Sequence, residues 1–426
     1  MSLRPNAYVM LGLMALLGVL ADWSGAVAPW WALPLGLLLL GLAYERVYAS
    51  RATLRLSIGM PQRLHLGRRV EARLALTQRL RRPLEVQIAP EAPDGLHADA
   101  ALLDARASTT LALEVVPQRL GRLTWPAMRA RIGGPLALAW WPARLSDPLP
   151  VEVVPDLLGE AAARTGLGPL GGREAPRRGV GSELLQLRPY QPGDALRNID
   201  WKTTARTGAL VSRDHVEEQA LDVIVAIDCG RASAVWCGSL DRLGHYVNAT
   251  ARLAEVAVAQ GDRIGLVAYG DRLLGSAAPA RGSGAVLRVR RLLGALRSET
   301  TDSNPIHAAT RIRAMVRRRC LVILLTEIDD AASDGQLVAA VSLLRGVHLP
   351  LVVGLRSGAA DAFAQEPGAD WRDPYRALAA AETRRIEIRS VGALRALGVH
   401  ALLARPERLE AELFAAYAAI RRERRV

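Results

Sequence analysis

Lysine is almost missing from these 426 residues. Lys202 is the only one, and arginine carries the rest of a cationic excess that leaves a net charge of +13. Cationic charge placed so uniformly on arginine reflects genome composition as much as selection for a partner. Aromatic residues make up 4% of the chain. No arginine run is interleaved with them, so a nucleic-acid stacking platform is excluded and no nucleic-acid partner is expected. Cysteine occurs three times, at Cys229, Cys237 and Cys320, with no C-x-x-C spacing. That excludes a disulfide framework and reads as a chain kept reduced. Also missing are the G-x-x-x-x-G-K-[ST] phosphate loop, the H-E-x-x-H zinc helix and the G-x-S-x-G elbow. Cys237 and His245 lie close in sequence on a helical stretch, but nothing else there makes them a nucleophile pair. No catalytic set is found.

Long apolar runs are present. Ala7–Ala21 is unbroken, and Ala26–Tyr44 carries no charge. A membrane-spanning helix needs about 20 apolar residues, so the two runs predict a transmembrane helical hairpin; a cleaved leader is the alternative for the first. Arg4 precedes the pair and Arg46, Arg51 and Arg55 follow it, while the connecting loop has no Lys or Arg. The positive-inside rule then expects both ends, and residues 46–426 with them, on the cytoplasmic side.

From Ala52 to Val154 the apolar spacing changes to period two, as in TLRLSI, PLEVQIAP and PVEVVP, broken by Pro, Gly and Asp. This predicts antiparallel strands in a small sandwich-like domain. Gly159–Gly181 has no periodicity and reads as a linker. From Leu221 onward, continuous apolar runs such as LDVIVAID, RIGLVAY, CLVILLT and PLVVGL alternate with helical patterns. Strands too apolar to be half exposed, separated by helices, predict a doubly wound parallel α/β sheet. The expected organisation is a hairpin at 1–48, a β-rich domain at 49–155, a linker at 156–188, a motif segment at 189–220, the α/β domain at 221–405 and a basic terminal helix at 406–426.

The motif segment is the most specific part. It gathers Tyr190, Gly193, Asp194, Arg197, Asp200, Trp201, Lys202 and Arg206 just before the first buried strand. Pro192-Gly193 signals a turn, Asp194 and Asp200 are good helix N-caps, and Arg197 stands three residues beyond Asp194, where helical spacing would pair them. Lys202 and Arg206 lie four apart and would share a helix face. Two readings stay open: a charged clasp with Trp201 as its buried anchor, or a docking surface presenting charges to a partner.

This run resembles the signature of the bacterial domain-of-unknown-function family 58 (DUF58), whose members look like von Willebrand factor A (vWA) proteins. The resemblance implies a vWA-like (Rossmann-like) α/β domain and a bacterial inner-membrane protein acting beside a MoxR-type AAA+ ATPase. On that basis the chain is expected to be a non-enzymatic, membrane-anchored adaptor that helps the ATPase remodel or mature client proteins. The alternative is a metal-dependent vWA module for ligand binding or adhesion. In vWA domains a metal sits on an Asp-x-Ser-x-Ser loop, a threonine and a further acid. Here Asp228 matches, Gly230 and Ala232 replace both serines, and Thr301 and Glu327 fall near the other positions, with Thr300 or Ser303 as substitutes for the former. Two hydroxyls of the hard oxygen set that Mg²⁺ prefers are thereby lost. No cofactor is expected; Asp228 is expected instead to cap a helix or pair with Arg231.

Overall fold

The computed structural model describes residues 2–24, 33–51, 54–78, 84–98, 103–106, 109–156, 178–192, 194–216, 220–328, 335–356 and 370–423. The chain divides into two compact units, Met1–Val154 and Pro155–Val426. Much of the expected 156–188 linker, residues 157–177, lies outside the described residues, as does Gly193.

In the first unit, helices α1 (Pro5–Ser24) and α2 (Leu33–Arg51) accompany a β-rich body. Pro5 opens α1 at the position where a missing N–H is harmless. The body holds a five-stranded, a four-stranded and a three-stranded sheet. Their pairings are antiparallel, except that Arg63–His65 runs parallel to Leu149–Val154. Period-two alternation drives the packing: Ala72, Leu74 and Leu76 turn inward from one strand, Val86 and Ile88 from another.

The expected transmembrane hairpin is not found. Among the described residues no helix is long and apolar enough to cross a membrane. This overturns the two-span fold class and the inner-membrane localisation built on it. The physical reason is length and anchoring. Ala7–Ala21 is 15 residues, about 22 Å as a helix against a hydrocarbon core of about 30 Å. The apolar part of α2 is shorter still, ending at Tyr44. Glu45, next in line, is fully buried and accepts the backbone N–H groups of Leu136, Leu138 and Ala139. Arg4 pairs with Glu85 at 2.8 Å and lies over the Trp140 ring. Arg4, expected to flank a span, and Glu45 thus hold the helices to the β-rich body. Ala7, Leu38 and Leu138 share a small core there, while Val9, Val19 and Leu40 stay at least 70% exposed.

The second unit opens with an antiparallel pair, β1 (Arg178–Pro189) and β2 (Val211–Val216), with the short helix α3 (Trp201–Thr207) in the connection. A six-stranded sheet comes next. Its strands are β3 (Asp222–Asp228), β4 (Arg263–Tyr269), β5 (Leu273–Ala280), β6 (Leu321–Leu325), β7 (Leu349–Leu355) and β8 (His400–Ala404), in the order β5-β4-β3-β6-β7-β8. Five are parallel, as their continuous apolar runs predict. The edge strand β5 is antiparallel to β4. Its sequence, LLGSAAPA, gives little strand signal because it carries few strand-forming residues. The helices are α4 (Arg242–Ala259), α5 (Ser283–Ala295), α6 (Pro305–Met315), α7 (Gly335–Arg345), α8 (Asp373–Ala396) and α9 (Leu409–Glu423). The chain enters the sheet at its centre, winds outward through β4 and β5, then returns to β6 on the other side of β3. Strand order therefore reverses between β3 and β6, the point where such sheets form a crevice at their carboxyl ends.

Candidate functional site

Two places carry the residues that the sequence singles out. The first is the connection between β1 and β2. The strands pair in register from Leu187↔Arg213 to Pro189↔Val211, and the Tyr190 N–H continues the closure by donating to Leu210 O at 2.9 Å. Asp194 accepts a bidentate pair of bonds from Arg188, both at 2.7 Å, and the Gln191 N–H at 2.9 Å. The expected Asp194–Arg197 pair does not form. Asp194 leads into a single 3₁₀ turn, Leu196–Asn198, with Ala195 at its N-cap position and no side-chain capping bond, so there is no helical face to bring the two together; Arg197 is exposed.

Asp200 does cap. It accepts the Thr203 N–H at 3.0 Å and is bonded by Arg213 Nε, also at 3.0 Å. The Arg213 bond, helped by the Thr203 amide, lowers its carboxyl to about 2. α3 ends at Gly208, whose φ of +70° supplies the left-handed C-cap and whose N–H returns to Thr204 O. The Thr204 hydroxyl accepts the Val211 N–H at 3.1 Å and ties the helix to β2. Trp201, expected as the buried anchor, is 65% exposed. It is the first residue of α3, and the buried apolar side chain just before it is Ile199. Lys202 and Arg206, four apart on α3, are both exposed.

The second place is the crevice between β3 and β6, a recess of about 320 Å³ lined by Asp228, Arg231, Asp302, Ser303, Thr326, Glu327 and Gln336, among others. Asp228 ends β3 nearly buried and accepts three hydrogen bonds: Gly230 N–H at 2.8 Å, Ser303 Oγ at 2.8 Å and Thr326 Oγ1 at 2.7 Å. Burial pushes its carboxyl above the usual carboxylate range, and the three donors oppose that shift. Gly230 is required by the close approach of Ser303. A Cβ there would stand 2.8 Å from both Ser303 Cβ and Ser303 N. Glu327 is bonded by the buried Arg242 at 2.6 Å, and Arg242 also donates to Ala232 O at 3.2 Å. Arg231 pairs with the exposed Asp302 and not with Asp228. Thr301 is not brought to the carboxylate; its carbonyl takes the Arg231 N–H and its side chain is exposed. Ser303 and Thr326 supply the hydroxyls.

This donor set does not suit Mg²⁺. Both Asp228 oxygens are already bonded, a guanidinium neutralises Glu327, and a hard cation wants six or so free oxygens. Among the described residues no cluster of three or more His, Cys, Asp or Glu is arranged to hold a metal. The thiols offer no nucleophile. All three cysteines are free and buried, and burial raises Cys229 and Cys320 to about 12. His245 Nε2 lies 2.7 Å from the Cys237 carbonyl oxygen, not the sulfur. Cys320 Sγ sits 3.2 Å from His348 Nδ1, a buried pair that sequence gives no signal for. Sequence reasoning likewise misses Arg188, Arg213, Arg242 and Thr326. Strand register on β1 and β2 is the signal that could find the first two; Arg242 has none.

Two mycobacterial proteins, "Uncharacterized protein Mb1516" of Mycobacterium bovis and "Uncharacterized protein Rv1480" of Mycobacterium tuberculosis, are each 31% identical over 104 residues. Each match spans 24% of this chain and 32% of the relative's length. Among solved structures, the proximal thread matrix protein 1 of the mussel byssus aligns at a TM-score of 0.24 and 14% identity, over 33% of this chain and 38% of that one. A protein of unknown function from Porphyromonas gingivalis aligns at 0.19 and 14% identity, over 24% and 47%. Likenesses that small do not define a shared fold. The signature segment and the sheet as far as β7, residues 186–352, match the family described as "Protein of unknown function DUF58".

Proposed function

We propose that this chain is a non-enzymatic adaptor with a degenerate vWA-like domain, acting with a MoxR-type AAA+ ATPase on client proteins. The observation that carries the reading is the β1–β2 connection. Its acids are turned inward onto Arg188 and Arg213, while Trp201 and its cationic neighbours face solvent. An element stiffened in this way suits docking, because its backbone is already ordered before binding. The crevice supports the same reading. Its carboxylates are held by internal donors and are not poised as a base or a nucleophile. With no phosphate loop of its own, the chain would draw on a partner for energy.

The test is affinity capture of the tagged chain from its native cell with identification of the partners. A MoxR-type ATPase is expected, with ATP hydrolysis by the purified ATPase changed when the chain is added. Recovery of no AAA+ ATPase would overturn the reading.

A further inference from the structure

We infer that the outward face of α3 and the turn before it docks an acidic protein segment bearing one apolar anchor. The anchor covers Trp201, and carboxylates on either side of it meet Arg197, Lys202 and Arg206. This inference rests on the adaptor reading and names the chemistry of its partner.

Helix geometry sets out the face. On α3, Trp201 and Ala205 form one row and Lys202 and Arg206 the next, about 100° around the axis. Thr203 and Thr204 are half-buried on the opposite side, with the Thr204 hydroxyl held by the β2 backbone. Leu196, 69% exposed, and Arg197 precede the helix, and Leu210, 45% exposed, lies beyond its end. The charge is of one sign. Asp194 and Asp200 are taken up by Arg188 and Arg213 at 2.7 and 3.0 Å, whereas Arg197, Lys202 and Arg206 form no ion pair among the described residues. An exposed tryptophan in one short segment with exposed leucines and uncompensated cations is complementary to an apolar anchor flanked by acids.

Other occupants fit less well. A nucleic acid would want several aromatic faces on which successive bases stack, and residues 194–210 carry one aromatic, Trp201. A second copy of this chain, meeting the patch isologously, would set Arg197, Lys202 and Arg206 against the same cations.

The test uses the full chain and fluorescence anisotropy. The probes are a labelled synthetic Glu/Asp-rich peptide with a central Leu-Phe pair, its copy with Ala-Ala at the centre, its copy with Lys for each acid, and a single-stranded oligonucleotide of matched charge. The acidic, anchored peptide is expected to bind best, more weakly as salt rises. Trp201→Ala is expected to weaken it at least tenfold with an unchanged melting temperature, which separates lost contact from lost fold. Lys202→Glu with Arg206→Glu should slow association. Failure of the acidic peptide to bind, equal binding by Trp201→Ala, or tighter binding of the oligonucleotide each overturns the inference. ATPase capture unaffected by these variants would also overturn it while leaving the adaptor reading standing. Peptide binding without any captured ATPase would do the reverse.

Discussion

At the scale of single residues, the motif separates into side chains that hold the element and side chains that face away from it. Asp200 belongs to the first group. Its carboxyl falls from the ordinary 3.8 to about 2 in the fold, so the stability it lends is present above pH ~4 and lost as pH falls toward 2. Asp200→Asn should keep the cap, lose the Arg213 bond and flatten that acid limb in urea titrations run from pH 5 to 2. Trp201 belongs to the second group. A buried tryptophan would cost about 3–5 kcal/mol on truncation to Ala; one this exposed should cost within about 0.5 kcal/mol, which a denaturation midpoint will read. Asp228 has the opposite sign to Asp200. Its raised carboxyl means that the ionised form opposes folding, an effect present at neutral pH that fades as pH falls toward its unfolded value near 3.8. Asp228→Asn should therefore melt at or above the wild type at pH 7, with the gap closing by pH 4. Adding Mg²⁺ should move neither midpoint; stabilisation of the wild type alone would restore a metal site.

At the scale of elements, the parallel strands can be read from sequence because a strand covered on both faces must be apolar throughout. β4 spans Arg263–Tyr269 just as its run of apolar residues marks it. The sequence also marks Asp200 as a cap, since capping is local. It cannot mark the Arg242–Glu327 pair, which joins residues 85 apart, because pairing across a fold has no sequence period. α1 and α2 show the limit from the other side. Their apolar runs are legible as helices, but the place of Glu45 is not. It stands just past the apolar run and satisfies three backbone N–H groups. Each such donor left unpaired costs about 1–3 kcal/mol, so Glu45→Ala should destabilise the first unit by on the order of 3 kcal/mol or more. Hydrogen exchange is the appropriate measurement. Protection at Leu138 and Ala139 should be lost first, and unchanged protection there would remove Glu45 from its anchoring role.

At the scale of the whole chain, the question is whether the last helix is a basic appendage or part of the α/β unit. The sequence runs on from it into RRERR, yet one face of the helix is apolar at helical spacing. Leu409, Leu413, Phe414, Tyr417 and Ile420 are all buried. The Tyr417 hydroxyl donates to the buried Asp262, which also accepts the Leu221 N–H at the entry to β3. Arg252 of α4 reaches both Asp156 and Glu410. Burying five such side chains contributes roughly 8–15 kcal/mol, comparable with the roughly 5–15 kcal/mol by which a whole domain is stable. The helix is therefore expected to be indispensable. Deleting residues 406–426 should abolish the cooperative melt of the second unit and its near-ultraviolet dichroism. Leu413→Ala, a milder change, should cost about 2–5 kcal/mol. A truncated chain that melts like the intact one would show that the packing of α9 adds little and that the sheet is complete without it.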